Sequence, residues 1–297
     1  MKYANMHLHS VHSDGILTPA ELCRIVKELG YGAIVLSDHE TANGTAETKK
    51  AAAEAGLDTM IGMELYAKGP DTDFHILAYD FDPTEKGIAT AIEEMRQSMV
   101  TVTRARFEAC CAEGIFRDIT WQEVVARSPE NAWLCNEHIF ATLIAKGQNQ
   151  QSDYWQWMQG FRTPRVSVKA TYPKKTSAEV IRMIKNAGGV AVLAHPHHKT
   201  PYLSALYAEG LGGVECCHPD IDEHDEAVAR QFAEAHRMYV TGGTDHTGLP
   251  GNSMERGDVP GRADGSYKGD ILTPVDQDVR HGATREEFEA LKNRIYG

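Results

Sequence analysis

Long apolar segments and a surplus of basic residues are both missing from this chain of 297 residues. No stretch approaches the ~18 apolar residues that a membrane span needs, and the first residues carry no apolar core of a signal peptide. With 30 Lys and Arg against 42 Asp and Glu, the formal net charge is −12. That charge argues against stable binding of duplex nucleic acid, which depends on basic patches that neutralise phosphates. We therefore expect a soluble, cytoplasmic protein.

Cysteine is scarce and unpatterned. The six Cys include two adjacent pairs but no C-x-x-C motif, so they predict reduced, mostly buried thiols and no disulfide framework. The G-x-S-x-G, P-loop, G-x-G-x-x-G and H-E-x-x-H signatures are absent as well. Histidine is instead abundant, with 14 copies, and imidazole is the commonest metal ligand in proteins. These observations together direct attention to a metal site.

Short segments rich in Val, Ile and Ala alternate with amphipathic helical patterns, which is typical of βα units around a parallel sheet. Capping boxes, in which a Thr and a Glu three residues later satisfy each other's backbone amides, mark four helix starts. They begin at Thr18, Thr120, Thr176 and Thr284. Seven strands are predicted, over residues 3–8, 33–36, 59–63, 74–79, 190–193, 213–216 and 238–241. Residues 85–175 show helical patterns only, and residues 248–282 predict a long loop.

Residue types that bind metals follow nearly every predicted strand. The segments are 7–9 (His-Leu-His), 37–39 (Ser-Asp-His), 62–64 (Gly-Met-Glu), 194–198 (Ala-His-Pro-His-His) and 244–246 (Thr-Asp-His), and His75 lies near the start of its strand. The C-terminal ends of parallel strands share one face, so we expect these side chains to converge. His7 and His9 project to the same side of a strand and can bind one ion together. A carboxylate such as Glu64 can bridge two ions about 3.5–4 Å apart.

These segments, in this order, resemble the PHP (polymerase and histidinol phosphatase) superfamily of metal-dependent phosphoesterases. The resemblance rests on residues 7–10, 13–15, 37–39, 62–64, 75, 194–196 and 243–245, and it spans most of the chain. It implies an α/β fold, a distorted (β/α)7 barrel of the TIM-like PHP type that holds up to three metal ions. On this basis residues 1–84 and 176–297 form the PHP barrel domain, and residues 85–175 form an inserted helical subdomain.

The resemblance also implies a set of metal ligands. They are His7, His9, Glu64 and Asp245 for the first ion; Glu64, His75 and His195 for the second; and Asp14, His39 and His246 for the third. His246 is included on the condition of a local bulge, because the family usually has Asp-x-His where this chain has Asp245-His246-Thr247. Without that bulge the third site lacks a ligand. The residues expected to carry catalysis are Glu64, Asp245 and His195.

Contacts to a substrate phosphate are expected beside the metal ligands. In the nucleotide-phosphatase branch of the family an Arg-Pro-His stretch opens a helix near that phosphate, and Asn-Glu-His stands in its place here. An acid-free basic stretch in the helical segment could steer a phosphate-rich substrate, although an ordinary solvated stretch is equally consistent. The expected contacts are His138, His198, Lys199, Arg162 and Arg165. Glu215 is expected to be a hydrogen-bonded structural carboxylate, and His218 to be ordinary structure.

The sequence therefore predicts a metal-dependent phosphoesterase that hydrolyses phosphomonoesters of nucleotides or similar small metabolites through a metal-activated hydroxide. The expected cofactors are two to three divalent ions, and mixed imidazole and carboxylate ligands favour Zn, Mn or Fe. Two alternatives stay open. An amidohydrolase-type enzyme uses similar ligands at strand ends, and a PHP-like module could bind metal and phosphate without turnover.

Overall fold

The fold is a mixed α/β arrangement, seen in a computed structural model that describes residues 2–129, 133–149, 153, 157, 174–247 and 281–294. The elements are β1 Ala4–Leu8, α1 Pro19–Glu28, β2 Ala33–Leu36, α2 Thr45–Ala55, β3 Gly62–Lys68, β4 Asp73–Tyr79, α3 Lys86–Ala112, α4 Trp121–Val125, α5 Asn136–Ala145, α6 Ser177–Asn186, β5 Val190–Leu193, a 3-10 turn Thr200–Tyr202, α7 Leu203–Glu209, β6 Gly213–Cys217, α8 Glu223–His236, β7 Tyr239–Gly242 and α9 Arg285–Lys292. Arg162, Arg165 and most of the predicted 248–282 loop lie outside the described residues. Within these ranges, no helix combines the length and the apolar character that crossing a bilayer requires.

Reciprocal hydrogen bonds at the four capping boxes begin helices α1, α4, α6 and α9 as predicted. At the start of α6, the amide of Thr176 donates to Glu179 Oε2 at 2.8 Å, and the amide of Glu179 donates to Thr176 Oγ1 at 3.3 Å. Removing such a cap typically costs ~1 kcal/mol. The helix starts are therefore specified by residues that lie within four positions of each other.

The strands form two hydrogen-bonded sheets, a parallel pair β1-β2 and a five-stranded sheet in the order β3-β4-β5-β6-β7. Isolated parallel bridges join His39 to Glu64 and Leu8 to His246, so both ends of the pair meet the larger sheet. The expectation of an all-parallel sheet is wrong for β4, which runs antiparallel to both β3 and β5. The strand predicted over residues 59–63 lies further along the chain, because β3 covers Gly62–Lys68. Glu64 therefore lies within the strand and not after it.

Strand β4 shows how the core positions the site. Its residues alternate between two apolar clusters: Phe74 and Ile76 pack with the helices outside the sheet, whereas Leu77 and Tyr79 pack on the opposite face. His75 shares that opposite face because side chains two residues apart point the same way. Since β4 runs antiparallel to β3 and β5, its beginning lies at the edge of the sheet where those two strands end. His75 reaches the metal-ligand residues for this reason.

Helices α3, α4 and α5 pack around a cluster of their own. Its buried members include Phe107, Phe116, Val124, Ile139 and Leu143. The first part of α3 instead contributes to the cluster against the five-stranded sheet. The division into a barrel of residues 1–84 and 176–297 and an insertion of residues 85–175 stays a prediction.

Candidate metal centre

Glu64 occupies the middle of the predicted site, with its side chain sealed from solvent. Its Oε2 lies 3.2 Å from His7 Nε2 and 3.3 Å from His9 Nε2. Its Oε1 lies 2.9 Å from His75 Nδ1 and 3.3 Å from His195 Nε2. The two oxygens of one carboxylate thus face two separate groups of histidines.

The first group is completed by Asp245. Its Oδ1 lies 2.9 Å from His9 Nε2 and 3.6 Å from His7 Nε2. Ligand atoms around a tetrahedral ion with bonds of about 2.0–2.1 Å are about 3.3–3.4 Å apart, so these four donors have the spacing of one coordination shell. His9 Nε2 is buried and has no hydrogen-bond partner among the described residues. The four residues therefore fit a divalent ion.

The second group has the same spacing with three donors. His195 Nε2 lies 3.1 Å from His75 Nδ1, and both nitrogens are close to Glu64 Oε1. Three protein ligands leave coordination positions for water or a substrate oxygen, which is the pattern of a catalytic ion. His75 and His195 are partly exposed, whereas Glu64 is fully buried, so the second group is the open side of the centre.

A third group contains His9, Asp14 and His39. Asp14 lies 3.3 Å from His9 Nδ1 and 3.7 Å from His39 Nε2. His9 already faces the first group through Nε2, and His39 Nδ1 lies 3.4 Å from Glu64 Oε2. The third group therefore relies on rings that also face Glu64 or the first group.

His246, the conditional third ligand, is not brought into any of these groups of described residues. Its carbonyl accepts a hydrogen bond from the His9 amide at 2.9 Å, and its backbone pairs with β1. Asp245, the residue before it, has a left-handed φ of 52°, so the backbone departs from regular strand geometry at this point. The assignment of His246 to the third ion therefore stays a prediction.

The histidines of the centre differ in the direction in which their pKa values are shifted. Burial lowers the pKa of His7 and of His9, but the surrounding carboxylates outweigh burial and hold both pKa values well above the ordinary value. Burial lowers the pKa of His195 to about 4, because fewer charges oppose it there. Burial raises the pKa of Glu64, yet the neighbouring rings dominate and hold that pKa well below its usual range. The first group thus pairs ionised carboxylates with basic imidazoles.

Glu215, expected to be a structural carboxylate, orients two of the predicted ligands. Both of its oxygens lie 3.2 Å from His7 Nδ1, and Oε2 also accepts from the His195 amide at 2.8 Å. A carboxylate on one ring nitrogen fixes the tautomer and leaves the other nitrogen for a metal. His7 Nε2 therefore faces Glu64 and Asp245, where an ion would displace the proton that these carboxylates hold on the ring.

The loop after β1 is closed by Asp38, whose position in the Ser-Asp-His segment carried no role in the sequence. Its carboxylate accepts from the Ser10 amide at 2.7 Å and from the hydroxyls of Ser10 and Ser13 at 2.8 Å each. These bonds fold residues 10–14 back under His9 and place Asp14 beside it. Asp38 thus acts on the site through the loop.

Two predicted ligands have left-handed backbone conformations. His195 has φ 26° and Asp245 has φ 52°, values that cost a residue with a side chain ~1–2 kcal/mol. Strain of this kind persists where the surrounding structure determines the conformation, and it gathers at functional sites. Here it lies at the ends of β5 and β7, where both side chains turn toward Glu64.

Gly243 is required by the close approach of β1. A Cβ at this position would lie 2.4 Å from the backbone nitrogen and 2.4 Å from the Cβ of His7. Gly243→Ala is therefore expected to displace the His7 backbone, to lower the free energy of unfolding by ~1–3 kcal/mol and to reduce metal content. Denaturant unfolding and metal analysis measure both effects.

Gly114→Ala is the matched control for that substitution. Gly114 also has a positive φ, of 68°, but a Cβ there meets nothing within 4 Å. We expect a loss of only the ~1–2 kcal/mol of the left-handed conformation, with metal content unchanged. Equal metal content in both variants would show that Gly243 does not position His7.

Trp133 contacts Glu40 and His39, and neither contact was predicted from the sequence. Its indole Nε1 donates to Glu40 Oε2 at 3.0 Å, and its ring stacks on His39 with centroids 5.2 Å apart. Tyr66 stacks on the same His39 ring at 4.9 Å. Local patterns offered no signal for this contact, because Trp133 and Glu40 are 93 positions apart. The helical segment therefore touches the centre directly.

The predicted phosphate contacts are spread over two places. His138 is buried in the first turn of α5, where its Nδ1 accepts from the Cys135 amide at 3.2 Å and burial lowers its pKa to about 4. His198 is exposed beside Asp225, which accepts from its amide at 3.0 Å, and Lys199 follows it. His138 is thus held as a neutral ring near the third group, whereas His198 lies on the β5 side.

A family model described as the PHP domain matches residues 5–186. With the geometry above, this match defines the class of protein: a metal-dependent hydrolase of phosphoric esters. The chain belongs to the PHP family of phosphoesterases.

Similar proteins share much of the chain's length. A 3',5'-nucleoside bisphosphate phosphatase of Chromobacterium violaceum is 26% identical over 262 residues, 82% of this chain and 87% of that protein. A 5'-3' exoribonuclease of Haemophilus influenzae is 26% identical over 208 residues, 66% of this chain and 69% of that protein. A solved structure from Bifidobacterium adolescentis, assigned as a metal-dependent phosphoesterase, has a TM-score of 0.74 at 28% identity and covers 86% of this chain and 92% of that chain.

Proposed function

We propose that this enzyme hydrolyses phosphomonoesters of nucleotides or similar small metabolites. The observation that carries the proposal is the division of the Glu64 carboxylate between two groups of ligands, since one oxygen faces His7 and His9 and the other faces His75 and His195. A carboxylate shared between two groups of ligands is the arrangement with which two-metal phosphatases hold their ions, so Glu64 would serve both ions here. The bisphosphate phosphatase of C. violaceum, which is similar over most of both chains, supports a small nucleotide as substrate.

The proposed ligands act by holding charge in fixed places. Divalent ions there, Zn, Mn or Fe for this set of donors, would supply positive charge to the phosphoryl oxygens and lower the pKa of water toward ~7. Glu64 and Asp245 neutralise that charge from the buried side, which leaves the exposed side for an anionic substrate. His195, whose pKa burial lowers to about 4, stays neutral at working pH and can bind through Nε2. The first and second groups support two ions, and Asp14, His39 and His246 are the ligands that we propose for a third.

The polypeptide around the centre supports the remaining parts of the proposal. A barrel formed by the two sheets, joined at the bridges from β1 and β2, would place all strand ends around Glu64. His138, His198 and Lys199, with Arg162 and Arg165, would contact the substrate phosphate. A cytoplasmic location fits the six free Cys, because oxidising compartments favour disulfides.

Release of inorganic phosphate by zinc- or manganese-loaded protein tests the function. The panel contains nucleoside 3',5'-bisphosphates, nucleoside monophosphates, histidinol phosphate, a cyclic phosphate and short oligoribonucleotides, each with a chelated control. We expect chelator-sensitive phosphate release from the small monoesters. Mononucleotides released from oligoribonucleotides without free phosphate would favour an exonuclease, and cleavage of amides alone would favour an amidohydrolase. If protein with both ions bound cleaves none of these substrates, a binding module would be favoured.

A further inference from the structure

His218 lies inside the centre, although no role there was expected from the sequence. It follows β6, its side chain is fully buried, and its ring centroid lies 5.7 Å from that of His7 and 5.4 Å from that of His195. The sequence predicts ordinary structure for His218, and its place beside two predicted ligands gives reason to look for a further role. A polar ring in this position needs a partner for each nitrogen, because an unpaired buried polar group is costly.

One nitrogen of the ring has its partner in the backbone. The amide of Asp220 donates to His218 Nδ1 at 3.0 Å. Nδ1 must therefore accept, and the ring proton must be on Nε2. As long as the hydrogen bond from the Asp220 amide is kept, Nε2 carries the ring proton, and His218 can donate a hydrogen bond from Nε2.

The other nitrogen points at Asp245. His218 Nε2 lies 3.8 Å from Asp245 Oδ2, which is about 0.9 Å longer than a typical N–H···O bond. Nε2 has no hydrogen-bond partner among the residues that the structure describes. The other oxygen of Asp245, Oδ1, faces His9 Nε2 at 2.9 Å. The carboxylate thus has one oxygen toward the first group and one toward an unused donor.

A direct metal ligand is the competing role, because His7, Glu215 and His218 are close enough together to hold an ion. Ligation through Nε2 would need a bare Nε2 and therefore a proton on Nδ1. That proton would meet the Asp220 amide, which is also a donor. The backbone hydrogen bond makes this role unfavourable.

We propose that His218 is a positioning residue that donates from Nε2 to Asp245 Oδ2 and so turns Oδ1 toward the first metal group. The Glu215 carboxylate accepts from the His7 ring and orients that ring. Here the His218 ring would donate to the Asp245 carboxylate and orient the carboxylate. The inference deepens the proposed function, since it assumes that Asp245 binds an ion, but it does not depend on which ester is hydrolysed.

Two substitutions separate the nitrogens of His218. His218→Asn keeps an acceptor at the position of Nδ1 and removes the distal donor, whereas His218→Gln keeps a distal N–H and removes the local acceptor. Zinc affinity, measured by competition with a chromogenic chelator and without substrate, is expected to fall ~10- to 100-fold in His218→Asn. It is expected to stay within ~3-fold of the parent in His218→Gln. Equal losses in both variants, or no loss in His218→Asn, would overturn the proposal.

The unsubstituted protein offers a second test that does not depend on the folding of a variant. Long-range proton–nitrogen NMR correlations distinguish the two tautomers of each imidazole. We expect His218 to carry its proton on Nε2 in both the chelated and the zinc-loaded protein, with the Nε2–H signal shifted downfield in the loaded form as the bond to Asp245 shortens. A proton on Nδ1 in the loaded form would overturn the proposal. Because neither readout uses turnover, both remain valid if the phosphate panel fails.

Discussion

Glu64→Gln is expected to lower phosphate release at least ~1000-fold and to reduce bound metal from two ions to one or fewer per chain. The amide has nearly the shape of the carboxylate, but it carries no charge and turns an N–H donor toward one of the two ligand groups. Glu64 has an oxygen within 3.3 Å of each of His7, His9, His75 and His195, so the change weakens both groups at once. Turnover at saturating zinc and metal analysis after desalting measure the two effects.

Glu40→Gln is the matched control for this substitution. Glu40 is also fully buried, and it accepts from Trp133 at 3.0 Å, but it belongs to none of the described ligand groups. Burial raises the pKa of Glu40 to about 8, so the residue is mostly protonated at pH 7 and its amide analogue resembles it. We expect less than a ~3-fold change in turnover. Near-normal turnover and metal content in Glu64→Gln would show that the bridging role is wrong.

Zinc affinity is expected to rise steeply with pH, by up to ~100-fold per pH unit when two protons are displaced. Carboxylates hold the pKa values of His7 and His9 well above the ordinary value despite burial, so in the chelated protein both rings keep a proton to higher pH than free histidine. A metal must displace those protons. The dependence flattens once the pH exceeds the raised pKa values, because no proton then remains to be displaced.

The same shifts predict the opposite trend for the chelated protein. Protonated His7 and His9 stabilise the fold fully below the ordinary histidine pKa, and this contribution is lost as the pH rises through the raised pKa values. The melting temperature with chelator should therefore fall at high pH, whereas that of the zinc-loaded protein should not.

Calorimetry in buffers of different ionisation enthalpy counts the displaced protons. We expect close to two protons for the first ion at neutral pH, and about one fewer in His9→Asn. His224→Asn, at an exposed position of α8, should leave the count unchanged. A count near zero that does not vary with pH would contradict the assignment of His7 and His9 to the first ion.

Much of this centre could be predicted from sequence because its signals are local. A capping box defines a helix start within four residues, and a short apolar segment defines a strand. His7 and His9 follow the period of a strand, which places them on one side. These signals need no knowledge of partners distant in the chain, and the predicted elements carrying them are observed.

What could not be predicted depends on strand direction and on distant partners. The residue types of β4 do not indicate that the strand runs antiparallel to its neighbours. That direction nevertheless decides at which edge of the sheet His75 lies. The role of His218 depends on a single backbone amide two residues later and on a carboxylate after another strand. His246 as a third-site ligand stays a prediction, since none of the described ligand groups includes it.

The contact between Trp133 and Glu40 limits how freely the helical segment can be exchanged between enzymes of this kind. A segment that reaches over the centre is a convenient place to change substrate preference, since its own cluster around Phe107 and Phe116 packs separately from the sheets. Its replacement, however, must still return an indole or an equivalent ring to His39. We expect grafted segments that omit this ring to alter the metal centre itself, and segments that keep Trp133 or place an equivalent ring on His39 to preserve it.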